Sequence, residues 1–202
     1  MKFFADAMPD SSNHITEKKR LRRGANAQGL ENASARHRLD AEICERFLNT
    51  FTPDTSKSMS FFWPLARECD TRAIAEACHK AGMATTLPVI RTDAHGLLFR
   101  RWTPDSAMIR TSFGTLQPLD DAEELQPDIM LVPLVMVDLH GTRLGRGAGH
   151  YDATLGPLRR LKNIMAIGIA YDWQVSEDPL PREAHDERLD GLITPSRAIV
   201  FA

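Results

Sequence analysis

The chain predicts an α/β fold with a parallel-rich central sheet and helices on both faces. Three observations carry this expectation. Apolar runs of strand length alternate with segments of helical periodicity along the 202 residues. Two strand–helix–strand successions recur, and a parallel pair needs a crossover of that kind. The longest apolar run, residues 128–137, lacks the polar alternation of a strand with one wet face.

Taken in order, residues 1–15 hold Pro9, Asp10, Ser11, Ser12 and Asn13 without periodicity and read as a flexible leader. A single domain is expected over residues 16–202, a length that one core can support. Thr16 is a cap for a basic helix through Lys18, Lys19, Arg20, Arg22 and Arg23, which Gly24, Asn26 and Gly29 weaken. Residues 33–51 space Leu39, Ile43, Phe47 and Leu48 as an amphipathic helix. Residues 58–63 form a buried strand, Asp70 or Thr71 caps the next helix, and residues 84–90 form the following strand. Residues 96–102 read as a short strand and 104–127 as a loop-rich excursion. The second unit has a strand over 128–137, a helix over 150–161 and a strand over 164–170. Residues 191–194 and 198–201 add edge strands.

Composition narrows the function classes. Hydrophobic residues make up 43% and charged residues 26%, the balance of a globular protein. With 25 Lys and Arg against 27 Asp and Glu, no field of one sign draws the whole chain to nucleic acid or anionic lipid. Asp6 and Asp10 interrupt any signal-peptide core, and no apolar stretch has the length of a membrane span. A cytoplasmic protein with neither nucleic acid, membrane nor obligate protein partner is the expectation. Cys44, Cys69 and Cys78 lack CxxC spacing and read as reduced thiols. His79, His95 and His140 read as surface histidines, and no GxSxG elbow accompanies His185 and Asp186.

The strongest local signal is the run Arg143-Leu144-Gly145-Arg146-Gly147-Ala148-Gly149-His150-Tyr151-Asp152, between an apolar strand and a helix. Glycines let backbone amides approach an anion, and a helix N-terminus adds N–H groups and a favourable dipole. Arg143 and Arg146 add charged donors, and Asp152 suits a Mg²⁺ bridging phosphate oxygens. The same glycines also suffice for a plain tight turn. A dinucleotide-binding fingerprint is disfavoured, because the glycines lie late in the chain and five residues intervene after the strand. No GxxxxGK[ST] motif is present.

Residues 127–152 as a whole resemble the 5-formyltetrahydrofolate cyclo-ligase family, whose members carry VPxxAFD followed by GxRLGxGGGYYD. Trp63-Pro64, Glu68-Cys69-Asp70-Thr71-Arg72, Leu87-Pro88-Val89 and Arg100-Arg101-Trp102 continue the resemblance upstream. Gly168-Ile169-Ala170-Tyr171, Gln174, Asp178 to Pro181, His185, Asp186, Leu189, Asp190 and Thr194 continue it downstream. The resemblance implies a three-layer α/β sandwich and an enzyme that uses ATP as co-substrate, Mg²⁺ as cofactor and 5-formyltetrahydrofolate as substrate.

It also implies roles for individual residues. Lys18, Arg22 and Arg143 fall to the nucleotide phosphates, together with Gly145, Arg146, Gly147, Ala148, Gly149, His150 and Tyr151. Arg146 and Tyr151 fall to the transferred group, and Glu68, Trp102, Arg146 and Tyr151 to the folate. Asp152 and Asp186 fall to the metal. Ala148 stands where glycine is usual, which bears on the loop's shape, and His150 stands where an aromatic ring is common. Two other classes remain open: an enzyme of the same fold acting on another amide-like substrate, and a non-catalytic folate- or RNA-binding relative.

Overall fold

The computed structural model describes residues 11–27, 33–91, 96–112 and 114–201. Its helices are α1 (Ser11–Ala27), α2 (Ala33–Thr50), α3 (Arg72–Lys80) and α4 (His150–Leu161). Its strands are β1 (Ser58–Ser60), β2 (Ala84–Ile90), β3 (Leu97–Trp102), β4 (Met108–Arg110), β5 (Leu116–Pro118) and β6 (Ile129–Pro133). They continue with β7 (Met136–Asp138), β8 (Arg143–Leu144), β9 (Met165–Ile169), β10 (Val175–Ser176), β11 (Gly191–Ile193) and β12 (Ala198–Val200).

Seven strands form the central sheet in the order β12-β11-β9-β6-β1-β2-β3. The inner five are parallel, and β3 and β12 pair antiparallel at the two edges. Because successive side chains on a strand point to opposite faces, the apolar run of β6 feeds two cores at once. Leu131 joins Met59, Leu87, Ile167 and Ile193 beneath Ile43 and Phe47 of α2 and Ile74 and Cys78 of α3. Met130 and Val132 join Ala166 and Leu192 against Leu155 and Leu158 of α4. Helices thus cover both faces, giving the three layers that the resemblance implies.

The chain leaves β1 in one direction toward β2, and later fills the other side with β6, β9 and β11 in turn. The order therefore reverses between β1 and β6. A crevice opens beyond the carboxyl ends of the strands at such a reversal.

Several elements differ from expectation. The helix expected from Thr16 begins at Ser11 and runs through Gly24 and Asn26. Residues 1–10 and Gly29 lie outside the described residues. Lys18 and Arg22, one turn apart on α1, are both anchored to distant segments, and such tertiary contacts outweigh the propensity cost of a glycine. The expected strand over 128–137 is two strands in different sheets. Pro133 brings no N–H to the ladder, and the chain turns away after it. The Val135 N–H then donates to the Leu144 carbonyl at 2.7 Å, building the small sheet β10-β7-β8. The Gln174 amide closes the gap by donating to the carbonyls of Leu134 at 3.0 Å and Val135 at 3.2 Å.

The excursion over 104–127 contains the antiparallel pair β4–β5, and β11 is an inner strand rather than an edge. The strand expected over 58–63 is regular only to Ser60, although the Phe61 N–H still donates to the Thr86 carbonyl at 3.1 Å. Thr71 does not cap α3 with its side chain; its hydroxyl donates to the Phe62 carbonyl at 2.7 Å. Asp70 instead accepts the Arg72 N–H at 3.0 Å. Among the described residues, no helix is long and apolar enough to cross a membrane.

Candidate active site

The crevice at the β1–β6 reversal is a cleft of about 490 Å³. Its lining divides by chemistry. Phe62, Trp63 and Leu65 follow β1, Pro88 and Ile90 belong to β2, and Leu134 follows β6; these make an apolar wall. The charged wall comes from Lys18 and Arg22 on α1, the loop into α4, and the segment holding Glu183 and Asp186.

The glycine loop is shaped by two residues. Gly147 has φ of 108° and Gly149, the N-cap of α4, has φ of 73°, a region costly for side chains with a Cβ. Ala148 between them keeps a negative φ, since no non-glycine among the described residues has a positive one. The loop thus needs its glycines on either side of position 148, not at it. The loop delivers the chain to the first turn of α4, where N–H groups lack intrahelical partners and the dipole favours an anion. Arg22 lies across the loop, its Nε donating to the Gly145 carbonyl at 2.7 Å, and a Cβ added at Gly147 would lie 3.5 Å from its Cζ.

The other charged residues are paired with the protein's own groups. Lys18 Nζ donates to Asp186 Oδ2 at 2.6 Å and Glu183 Oε2 at 2.8 Å. Desolvation opposes the charge on Lys18, but the two carboxylates outweigh it and raise the ammonium above its ordinary value. Asp186 is lowered in turn: burial works against it, but the Glu183 N–H and Lys18 prevail. Arg143 is buried, and its Nη1 donates to Asp152 Oδ1 and to the Glu187 carbonyl, both at 2.9 Å. Asp152 Oδ1 also accepts the Glu187 N–H at 2.9 Å. Arg143 thus braces Asp152 against the segment that carries Asp186.

Arg146 and Glu68 meet where the two walls join. Arg146 Nε donates to Glu68 Oε1 at 2.8 Å, and Glu68 Oε2 accepts the Leu65 N–H at 2.8 Å. Tyr151 is half-buried beside them, and burial followed by the Glu68 charge pushes its hydroxyl upward. His150 lines the same wall.

The structure brings all but one of the expected site residues to the cleft. Trp102 is the exception. It is 5% exposed and packs edge-to-face on Phe61, centroid to centroid 4.7 Å, inside the core beneath α2 and α3. It stands at the end of edge strand β3, opposite Thr85 of β2, with its side chain among that core. Trp63 takes the place at the cleft that sequence reasoning gave to Trp102, with the Arg72 Cζ 5.3 Å from its ring centroid. Its position just past β1 was the available signal, because that strand end borders the reversal.

Both carboxylates expected at the metal, Asp152 and Asp186, line the cleft. Among the described residues, the side chains brought together in metal-ligand fashion are Glu183, His185 and Asp186, with ligand atoms within 4.8 Å of one another, and Asp152 is not in that group. Asp152 lines the same cleft but is tied to Arg143 and Glu187. Cys44, Cys69 and Cys78 are free thiols, as expected. His140 is exposed, His79 is half-buried, and His95 lies outside the described residues.

Comparison with known proteins agrees with this geometry. Residues 14–195 match the 5-formyltetrahydrofolate cyclo-ligase family. A 5-formyltetrahydrofolate cyclo-ligase of Haemophilus influenzae is 31% identical over 183 residues, covering 88% of this chain and 94% of the relative. One from Escherichia coli K12 is 33% identical over 145 residues, covering 69% and 79%. The solved 5,10-methenyltetrahydrofolate synthetase of Aquifex aeolicus superposes with a TM-score of 0.74 at 26% identity, covering 91% of this chain and 92% of that one. The Mycoplasma pneumoniae synthetase shares the fold with a TM-score of 0.70 at 22% identity, covering 89% and 99%.

Proposed function

The chain belongs to the 5-formyltetrahydrofolate cyclo-ligase family, and from that premise we propose that it converts 5-formyltetrahydrofolate to 5,10-methenyltetrahydrofolate, using ATP and Mg²⁺ and releasing ADP and phosphate. The observation that carries this reading is the divided cleft. An apolar wall with Trp63 suits a pterin, and a cationic wall at a helix N-terminus suits a triphosphate.

The formyl group on nitrogen 5 is an amide, and its oxygen is a poor leaving group. In the proposed reaction that oxygen attacks the γ-phosphorus of ATP, and the bond to the β,γ-bridging oxygen breaks with its electron pair passing to ADP. The formyl carbon, now an iminium phosphate, accepts the nitrogen 10 lone pair. The carbon–oxygen bond then breaks, the oxygen departs within phosphate, and nitrogen 10 loses its proton. No protein nucleophile takes part, so the protein's work is positioning and charge stabilisation.

Arg146 and the amides from Gly145 to Tyr151 hold the transferred group in this reading, and Lys18 and Arg22 hold the nucleotide phosphates. Arg143 acts at one remove, by fixing Asp152. Glu68 orients the folate once Arg146 has turned to phosphate. The cleft fits a hard divalent cation: Asp152, Asp186 and Glu183 offer oxygen donors, and Lys18 already supplies the positive charge that two of these carboxylates require. Asp152 and Asp186 would hold Mg²⁺, which supplies charge neutralisation of the triphosphate.

The test is direct. The purified chain given 5-formyltetrahydrofolate and MgATP should generate the near-ultraviolet absorbance of methenyltetrahydrofolate, and omission of either substrate should abolish it. Substrate labelled with ¹⁸O in the formyl group should deliver the label to phosphate. Folded protein that produces no such absorbance would refute the activity, and unlabelled phosphate formed alongside product would refute the phosphorylated intermediate.

A further inference from the structure

The loop from Phe62 to Thr71, which carries Trp63 and Glu68, is pinned from behind by groups that never reach the cleft. Its base is closed by the Thr71 hydroxyl on the Phe62 carbonyl at 2.7 Å. Two residues of α2, one helical turn apart, hold its outer part. Arg36 Nη1 donates to the Ala66 carbonyl, and Asp40 Oδ1 accepts the Asp70 N–H at 3.1 Å. The same Asp40 oxygen accepts the Tyr171 hydroxyl at 2.8 Å. Tyr171 stacks on Trp173, with centroids 4.4 Å apart, and its N–H donates to Gln174 Oε1 at 2.8 Å. Gln174 is the residue whose amide holds Leu134 and Val135 beside the cleft. One carboxylate oxygen on α2 therefore links the loop after β1 to the turn that fixes the chain after β6, the two sides of the crevice.

We infer that Asp40 is a positioning residue for the folate: through Asp70 and Tyr171 it sets Trp63 and Glu68 at the correct distance from Leu134 across the cleft. The inference rests on the cyclo-ligase reading, which assigns the apolar wall to the folate. Lys18 and Arg143 of the cationic wall are anchored separately, Lys18 on Asp186 and Glu183 and Arg143 on Asp152; only Arg146 shares a contact with this loop, through Glu68. Loss of the brace should therefore weaken one ligand and spare the other. Burial raises the Asp40 carboxyl, outweighing the Tyr171 hydroxyl and Asp70 amide that lower it. An asparagine keeps the acceptor oxygen without that cost, so it should serve as a rescue.

Isothermal titration of the full chain, with 5-formyltetrahydrofolate and separately with a non-hydrolysable MgATP analogue, tests this. In Asp40→Ala the folate Kd should rise about tenfold while the analogue Kd stays within about twofold, given two lost hydrogen bonds to one carboxylate. Asp40→Asn should stay within about twofold of wild type for both ligands, and Tyr171→Phe should raise the folate Kd about threefold. The inference falls if Asp40→Ala weakens both ligands alike or neither, or if asparagine fails to restore folate binding. Should Asp40→Ala not fold, the other two variants decide: unchanged folate affinity in Tyr171→Phe, or loss of it in Asp40→Asn, overturns the assignment. A wild-type chain that binds the analogue but not 5-formyltetrahydrofolate would instead remove the cyclo-ligase reading, before any variant is compared.

Discussion

Around Trp63 and Leu65 the cleft wall is fixed by apolar burial and hydrogen bonds to the main chain, whereas around Lys18 and Arg146 it is fixed by ion pairs. The Phe62–Thr71 loop is held by hydrogen bonds within the protein that involve none of the cleft's cations. The cations on the other side are already bound to carboxylates: Lys18 to Asp186 and Glu183, Arg146 to Glu68. The first wall is a preformed surface, and the second must exchange partners when a phosphate arrives. In the proposed reading, preorganisation serves the folate, while the nucleotide would meet a charge network that is stable as it stands and has to be opened.

The sharpest way to break this comparison is at Asp152, the carboxylate on the exchanging side that a braced arginine holds in place. Asp152→Asn keeps an acceptor for Arg143 and the Glu187 N–H but removes the charge. Turnover should fall roughly 100-fold or more while the fold survives, read as kcat at saturating substrates beside a melting curve. Unchanged turnover at limiting Mg²⁺ would take Asp152 out of the metal role. Next in size, Arg146→Lys should lower kcat about tenfold, because a point charge cannot reproduce the planar fork, whereas Lys18→Ala should mainly raise the ATP KM. If both variants altered only KM, Arg146 would belong with the nucleotide rather than with the transferred group.

The two tryptophans probe the preformed side. Trp63→Ala should raise the folate KM several-fold with little change in stability, while Trp102→Leu should cost about 1–3 kcal/mol of stability and leave KM nearly intact. Steady-state kinetics and chemical denaturation on both variants would expose a reversed assignment. The smallest effect concerns pH. Asp186 is lowered by its partners, so its contribution is present above the ordinary carboxylate value of 3.8 and is lost as pH falls through the lowered value. Lys18 is raised, so its contribution is present below 10.5 and is lost as pH climbs through the raised value. Lys18→Met should flatten the alkaline fall in melting temperature. An alkaline limb identical to wild type would show that the pair adds nothing to stability.

How much of this was legible in the sequence depended on the distance over which each feature is determined. Strand periodicity and crossover helices are local, and they yielded the layers and the parallel sheet. The glycine loop was legible for the same reason, since the sequence places Gly147 and Gly149 where the chain turns into α4. The break after Pro133 was not, because the apolar run continues through Val137 and the groups that bind the departing chain, Leu144 and Gln174, lie further along. Nor were the tryptophans. Each ends an expected strand, and only the sheet order shows that β1 borders the reversal while β3 closes an edge. Glu183 carried no pattern of its own, His185 entered only through the resemblance, and their meeting with Asp186 depends on a turn in a proline-rich segment.

The Lys18 contacts span 165 and 168 residues of chain. On a ribosome α1 emerges early, yet the carboxylates that anchor it follow only after about ten to thirty seconds of further synthesis at ordinary elongation rates. Throughout that interval Lys18 lacks the partners that hold it in the finished cleft, while Arg22 finds its own, the Gly145 carbonyl, earlier. The cationic wall therefore waits on nearly the whole chain, and in the proposed reading a partly made chain has no complete place for the nucleotide.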